Sequence, residues 1–79
     1  MKTMAIPEIW VDFNAQNEDG TIRLTTRGSK RDMDSHGVKE GDKIFISDEE
    51  LGAVAVVENV EGYGLVARPE TEIFPLGDE

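Results

Sequence analysis

Residues 51–68 read LGAVAVVENVEGYGLVAR, and the way this stretch pairs with itself decides the fold. Ala53, Val54, Ala55, Val56 and Val57 are apolar in succession, which suits a strand buried on both faces or a barrel strand. Gly52, Gly62 and Gly64 bracket the run and valine is a weak helix former, so a helix is the poorer reading. The chain returns over Tyr63 to Arg68. A two-residue turn at Glu61-Gly62 would set Glu58 opposite Leu65, a charge in an apolar row. A loop of Val60-Glu61-Gly62 sets Val57 opposite Leu65, Ala55 opposite Ala67 and Val56 opposite Val66. It also puts Gly62 at the last loop position, where a three-residue hairpin needs a left-handed residue. The second register is the expected one, and a one-residue slip would turn every side chain to the other face.

Outward from this hairpin, the preceding segments alternate. Glu8 to Asn14 carries Ile9, Val11 and Phe13 on one face and Trp10, Asp12 and Asn14 on the other, the pattern of a half-buried strand. Pro7 suits its entry. A polar loop, Ala15 to Gly20, ends in Asp-Gly, a turn signal. Thr21 to Thr26 alternates again, with Ile22 and Leu24 inward and Arg23 and Thr25 outward. Pairing Phe13 with Ile22 and Val11 with Leu24 makes a first hairpin. Ser29 is the expected N-cap of a short helix, Lys30 to His36, with Asp32 placed to complete a capping box, Met33 as its anchor and Gly37 as its stop. Lys39 to Asp42 forms a turn, and Lys43 to Ser47 is a third strand with Ile44 and Ile46 on one face and Phe45 on the other. Asp48-Glu49-Glu50 is an acidic loop. After Pro69, Glu70 to Phe74 is expected to form a 3₁₀ turn that drops Ile73 or Phe74 onto the barrel end. Residues 1–6 and 77–79 are expected to be flexible.

The expected fold is all-β and mainly antiparallel: a five-stranded, SH3-like small barrel in one domain over residues 1–79, with one short helix between strands 2 and 3. Closure of such a barrel hides strand edges. The chain of 79 residues has no cysteine, which excludes disulfide staples and thiolate zinc sites. It has no apolar stretch near the ~18 residues that a membrane helix needs, and no signal-peptide pattern at its start, so a cytoplasmic location without membrane association is expected. The formal net charge of −9 opposes non-specific nucleic-acid binding. It is unevenly spread: one basic against four acidic groups over residues 1–20, six against four over 21–47, and one against nine over 48–79.

Val11-Asp12-Phe13-Asn14, Asp19-Gly20-Thr21-Ile22-Arg23-Leu24, the Gly-Ser helix start and Gly37-Val38-Lys39-Glu40-Gly41 together resemble a group of small uncharacterised bacterial proteins with a five-stranded SH3-like barrel. The resemblance runs from Ile9 to Ala67 and implies a compact bacterial cytoplasmic domain, without an activity. Strand Thr21 to Thr26, helix Ser29 to His36 and the turn Gly37 to Lys43 also partly resemble the swapped-hairpin regulators of the AbrB and MazE type. That resemblance implies, as an alternative, a dimeric regulator or antitoxin binding nucleic acid or a toxin. The chain departs from it at Thr25-Thr26, where the family has Ile-Pro, and in its long acidic second half.

No metal, cofactor or catalytic residue is expected. Asp32 to Gly37 partly matches an EF-hand loop, but the twelfth position is Lys43, a cation. Ala15 to Thr26 matches in part as well and fails at its first and twelfth positions. The single histidine, His36, suits the C-terminal end of the helix dipole, and no nucleophile elbow, P-loop or dinucleotide fingerprint occurs. The chain is therefore expected not to be an enzyme. The expected function is a monomeric binding or adaptor module for a protein partner. Its site is Trp10 on the outward face of the first strand, with Thr25 and then Arg23 across from it, the basic cluster Arg27, Lys30 and Arg31 at the helix start, and Tyr63 extending the patch. Each has a plainer reading: the cations balance Asp32 and Asp34 at a solvated surface, and Trp10 covers a second small core.

Overall fold

The computed structural model describes residues 6–76. Its elements, in chain order, are β1 (Glu8–Trp10), a 3₁₀ turn (Phe13–Ala15), β2 (Ile22–Arg23), α1 (Arg27–His36), β3 (Lys43–Ser47), β4 (Leu51–Val60), β5 (Gly64–Pro69) and β6 (Phe74–Pro75). The strands form one curled mixed sheet, a half-barrel, in the order β1-β3-β4-β5-β2, with β6 beside β4. The small, mostly β fold with one short helix between the second and third strands is the one the alternation predicts. Flexible ends were expected at residues 1–6 and 77–79; all but Ile6 of these lie outside the described residues.

The core follows from alternation. Ile9 and Val11 from β1 and its extension, Ile22 and Leu24, Ile44 and Ile46, Ala53, Ala55 and Val57, and Ala67 are all buried in one cluster. Each large aliphatic among them contributes about 1.5–3 kcal/mol relative to its exposed state. Met33 anchors α1 to this cluster at 6% exposure, as its place on the helix predicts. Lys43–Ser47 is a strand with the expected bounds and faces.

The hairpin of β4 and β5 forms, but in another register: Val57 pairs with Ala67, Glu58 with Val66, Asn59 with Leu65 and Val60 with Gly64. The turn is Glu61-Gly62-Tyr63, closed by the Tyr63 N–H donating to the Val60 carbonyl at 2.9 Å. Both Gly62 and Gly64 take left-handed backbone, φ 93° and 81°, so the left-handed bend begins inside the loop and extends into the first paired residue. The offset from the expected register is even, so each side chain keeps its expected face while changing partner.

The expected first hairpin does not form. β1 pairs in parallel with β3, Ile9 opposite Ile46 and Trp10 opposite Ser47, while β2 pairs with β5, Ile22 opposite Ala67. The cause is local. The Asp12 carboxylate accepts from the Asn14 N–H at 2.9 Å and starts a 3₁₀ turn over residues 13–15, which ends the strand before Phe13 can pair. Only Gln16 bridges to Ile22. The helix also starts earlier than expected. Thr26, not Ser29, is the cap: its Oγ1 accepts from the Ser29 N–H, and its carbonyl accepts the first helical bond from Lys30. Gly37, φ 65°, stops the helix as expected, with the Val38 N–H donating back to the Met33 carbonyl.

No 3₁₀ turn forms after Pro69. The Glu70 N–H donates to the Val54 carbonyl, Thr71 Oγ1 accepts from the Val54 N–H, and β6 then resumes pairing along β4. Ile73 packs on the core, and Phe74 lies on the outer face with its ring 6.1 Å from that of Phe45. Among the described residues no helix is long and apolar enough to cross a membrane.

Candidate functional site

Trp10 lies on β1, at one end of the sheet. In a parallel pair alternate residues turn their peptide groups to the partner strand. Pro7 and Val11 bond to β3, through the Phe45 N–H to the Pro7 carbonyl and the Val11 N–H to the Ser47 carbonyl. The peptide groups of Trp10 therefore face away from the sheet, and α1 satisfies both. The Trp10 N–H donates to Asp32 Oδ2 at 2.9 Å, and its carbonyl accepts from Ser29 Oγ at 2.6 Å. Thr26 Oγ1 in turn donates to Ser29 Oγ at 2.9 Å, so the cap of the helix and the edge of the sheet form one hydrogen-bonded chain. Asp32 is thus a link to β1, not the capping-box residue expected from its position.

The indole lies against Gly28: a Cβ at that position would stand 3.1 Å from Trp10 Cε3. Trp10 is 41% exposed, and Ile6, which lines a depression with it, is 45% exposed. Two depressions flank the ring. One, about 570 Å³, is lined by Ile6, Pro7, Glu8, Trp10, Asp32, His36 and Ser47. The other, about 240 Å³, is lined by Trp10, Asp12, Asp48, Glu49 and Glu50. Among the described residues, six carboxylates and neither Lys nor Arg line the two.

The basic residues expected to share this surface are dispersed. With β1 and β2 unpaired, Arg23 does not stand opposite Trp10; β3, β4 and β5 separate the two strands. Arg23 Nε donates to Asn17 Oδ1 at 3.4 Å, near Arg68, which reaches Glu58 at 2.8 Å and Asp19 at 3.7 Å. Val66 pairs with both Glu58 and Arg23 yet is fully buried. The long stems of these charged residues explain its cover. Along the helix, at about 100° per residue, Gly28 and Asp32 form the stripe that meets Trp10. Arg31 stands on the stripe beside it and Arg27 faces solvent, both exposed and without an ion pair among the described residues. Lys30 lies on the other side of the helix. There it lines a groove of about 360 Å³ with Leu24, Met33, Val38 and Leu65. Tyr63 is half-buried on the β4–β5 turn. The β2–β5 register, continued past the Leu24 N–H bond to the Leu65 carbonyl, brings it level with Thr26.

Asp19 is held below the ordinary carboxylate value of 3.8. The main cause is the Thr21 hydroxyl, which donates to Asp19 Oδ1 at 2.6 Å; the Thr21 N–H at 3.0 Å and the Arg68 charge act in the same direction. Asp32, Asp34 and His36, which read as part of a calcium loop, are helical, and among the described residues no three His, Asp or Glu side chains converge as a metal would require.

Ser29 and the acidic residues around Trp10 are not among the expected site residues, and Asp32 is expected as a capping-box, calcium-loop or charge-balancing residue rather than as a link to β1. The parallel register sets Trp10 opposite Ser47 and so beside the Asp48–Glu50 loop, and alternation within a strand does not specify its partner. No protein-family model, curated protein or solved structure matches this chain.

Proposed function

We propose that this domain is a binding module that recognises a protein partner through Trp10 and the surface around it, with no covalent chemistry. One observation carries the reading. The sole tryptophan stands 41% exposed on a strand whose outward peptide groups are already bonded, with exposed Ile6 in the same depression. An aromatic side chain held on a fixed backbone loses little conformational freedom when a partner covers it, and such anchors dominate protein interfaces. The surrounding charged groups supply charge-assisted hydrogen bonds at the rim. The reading places a monomer in the bacterial cytoplasm, where a net charge of −9 keeps copies apart.

The test is capture from bacterial lysate by immobilised wild type and by Trp10→Ala, with both shown to be folded by circular dichroism. The expected result is a protein held by the wild type and lost by the variant, then confirmed by titration of the two purified components. Equal capture by both would remove Trp10 from any binding role.

A further inference from the structure

We infer that the partner presents a basic, partly apolar peptide segment, whose apolar side chains enter the depression between Ile6 and Trp10 and whose Lys or Arg groups meet the carboxylates on both sides of the indole. This rests on the binding reading above and names the class of partner.

The apolar part of the surface is Ile6, Pro7 and the exposed part of the Trp10 ring. An apolar patch alone does not choose its occupant. The rim does, through charge. Glu8 and Asp32 stand on one side of the ring, and Asp12, Asp48, Glu49 and Glu50 on the other. Four of these are fixed in place: Glu8 by the Ser47 hydroxyl at 2.7 Å, Asp32 by the Trp10 N–H, Asp12 by the Asn14 N–H, and Asp48 by the N–H groups of Glu50 and Leu51, both at 2.7 Å. Glu49 and Glu50 are exposed and reach solvent. Lys43 is directed to Glu70, Arg68 to Glu58 and Asp19, and Lys30 to the groove on the far side of the helix, so that the basic groups beside the six carboxylates are Arg31 on the adjoining helix stripe and His36 in the larger depression.

This arrangement selects among occupants. An acidic peptide or a nucleic acid would bring negative charge against a surface lined by six carboxylates. A second copy of the chain would add its own charge of −9. A cation above the indole face gains from the ring quadrupole, and a carboxylate beside it holds the same cation by a charge-assisted bond.

Trp10 is the sole tryptophan, so its emission reports this surface directly. The experiment titrates the full chain with three synthetic twelve-residue peptides: alternating Leu and Lys, alternating Leu and Glu, and alternating Ser and Lys. The expected result is a saturable emission shift with the Leu–Lys peptide alone. Its Kd should weaken by about tenfold when salt is raised from 0.05 to 0.5 M, because the contacts are between charges at a surface. It should weaken similarly in a Glu49→Lys, Glu50→Lys double variant, whose changes fall on exposed positions. Equal or tighter binding of the Leu–Glu peptide would overturn the inference and leave the binding reading standing. Equal binding of the Ser–Lys peptide would reduce the surface to unspecific charge attraction and overturn it as well. An emission shift on concentrating the protein alone would assign the surface to a second copy. If no peptide moves the emission, the inference fails, and the lysate capture decides the binding reading independently.

Discussion

Ser29 Oγ donates to the main-chain carbonyl of Trp10 at 2.6 Å, so a helix side chain occupies the place a neighbouring strand would take. Ser29 is fully buried, and water cannot replace it. Ser29→Ala is therefore expected to cost about 1–3 kcal/mol, the penalty for a buried polar group left without a partner. Asp32 is only partly buried, so Asp32→Ala should cost less, about 1 kcal/mol, and Asp32→Asn less again because the amide oxygen still accepts. Urea unfolding followed by Trp10 emission reads all three, and a larger loss in Asp32→Ala than in Ser29→Ala would reverse this assignment.

Gly28 faces the Trp10 ring in the first turn of α1. The helix gains up to about 1 kcal/mol from alanine in place of glycine. Against this, the new Cβ would meet Cε3 at 3.1 Å, and the ring of a residue 41% exposed can move by the few tenths of an ångström required. Gly28→Ala is expected to raise stability slightly and to shift Trp10 emission. A clear loss of stability would show that the ring is held in place by more than this contact.

Gly52 presents the opposite case. A Cβ there would lie 2.6 Å from Phe45 Cζ and 3.0 Å from Leu76 Cδ2. Gly52→Ala should destabilise by about 1–3 kcal/mol through overpacking. Phe45→Leu shortens the side chain that blocks it, so the double variant should recover part of the loss. Additive losses in that cycle would show that the two positions do not share the contact.

The Asp19 carboxyl sits below 3.8 because Thr21 and Arg68 favour its charged form. A carboxyl that is harder to protonate in the folded chain adds stability above its unfolded value and loses it as pH falls through the lower folded value. The stability difference between wild type and Asp19→Asn is therefore expected to be constant near neutral pH and to shrink below about pH 4. Thr21→Val removes the main cause and should flatten the difference. A difference that grows on acidification would contradict the assignment.

Much of the architecture was legible because it is local. The Lys43–Ser47 strand, the faces of Ile44, Ile46 and Phe45, the Met33 anchor and the Gly37 stop all follow from spacing, and the structure has each. Even the misplaced hairpin register keeps Val57, Ala55 and Ala67 inward, because side-chain direction depends only on parity. What failed was pairing between distant segments. Val11 and Leu24 are both inward as alternation requires, yet they belong to strands at opposite ends of the sheet. The candidate site was legible in one residue, Trp10, whose outward face follows from its neighbours. Its expected companion Arg23 was placed by a hairpin that Asp12 prevents, and the carboxylates around the ring come from a parallel register that no local signal encodes.

The parallel pairing of β1 with β3 also sets an order of assembly. β1 leaves the ribosome before β2, α1 and β3, and both its strand partner and its helix clamp lie downstream. Closing that long connection has an entropic cost that only a preformed β3–β4 edge offsets. The segment of this domain synthesised first therefore has no seat until α1 and β3 have followed it, and until then the Trp10 peptide groups lack their partners.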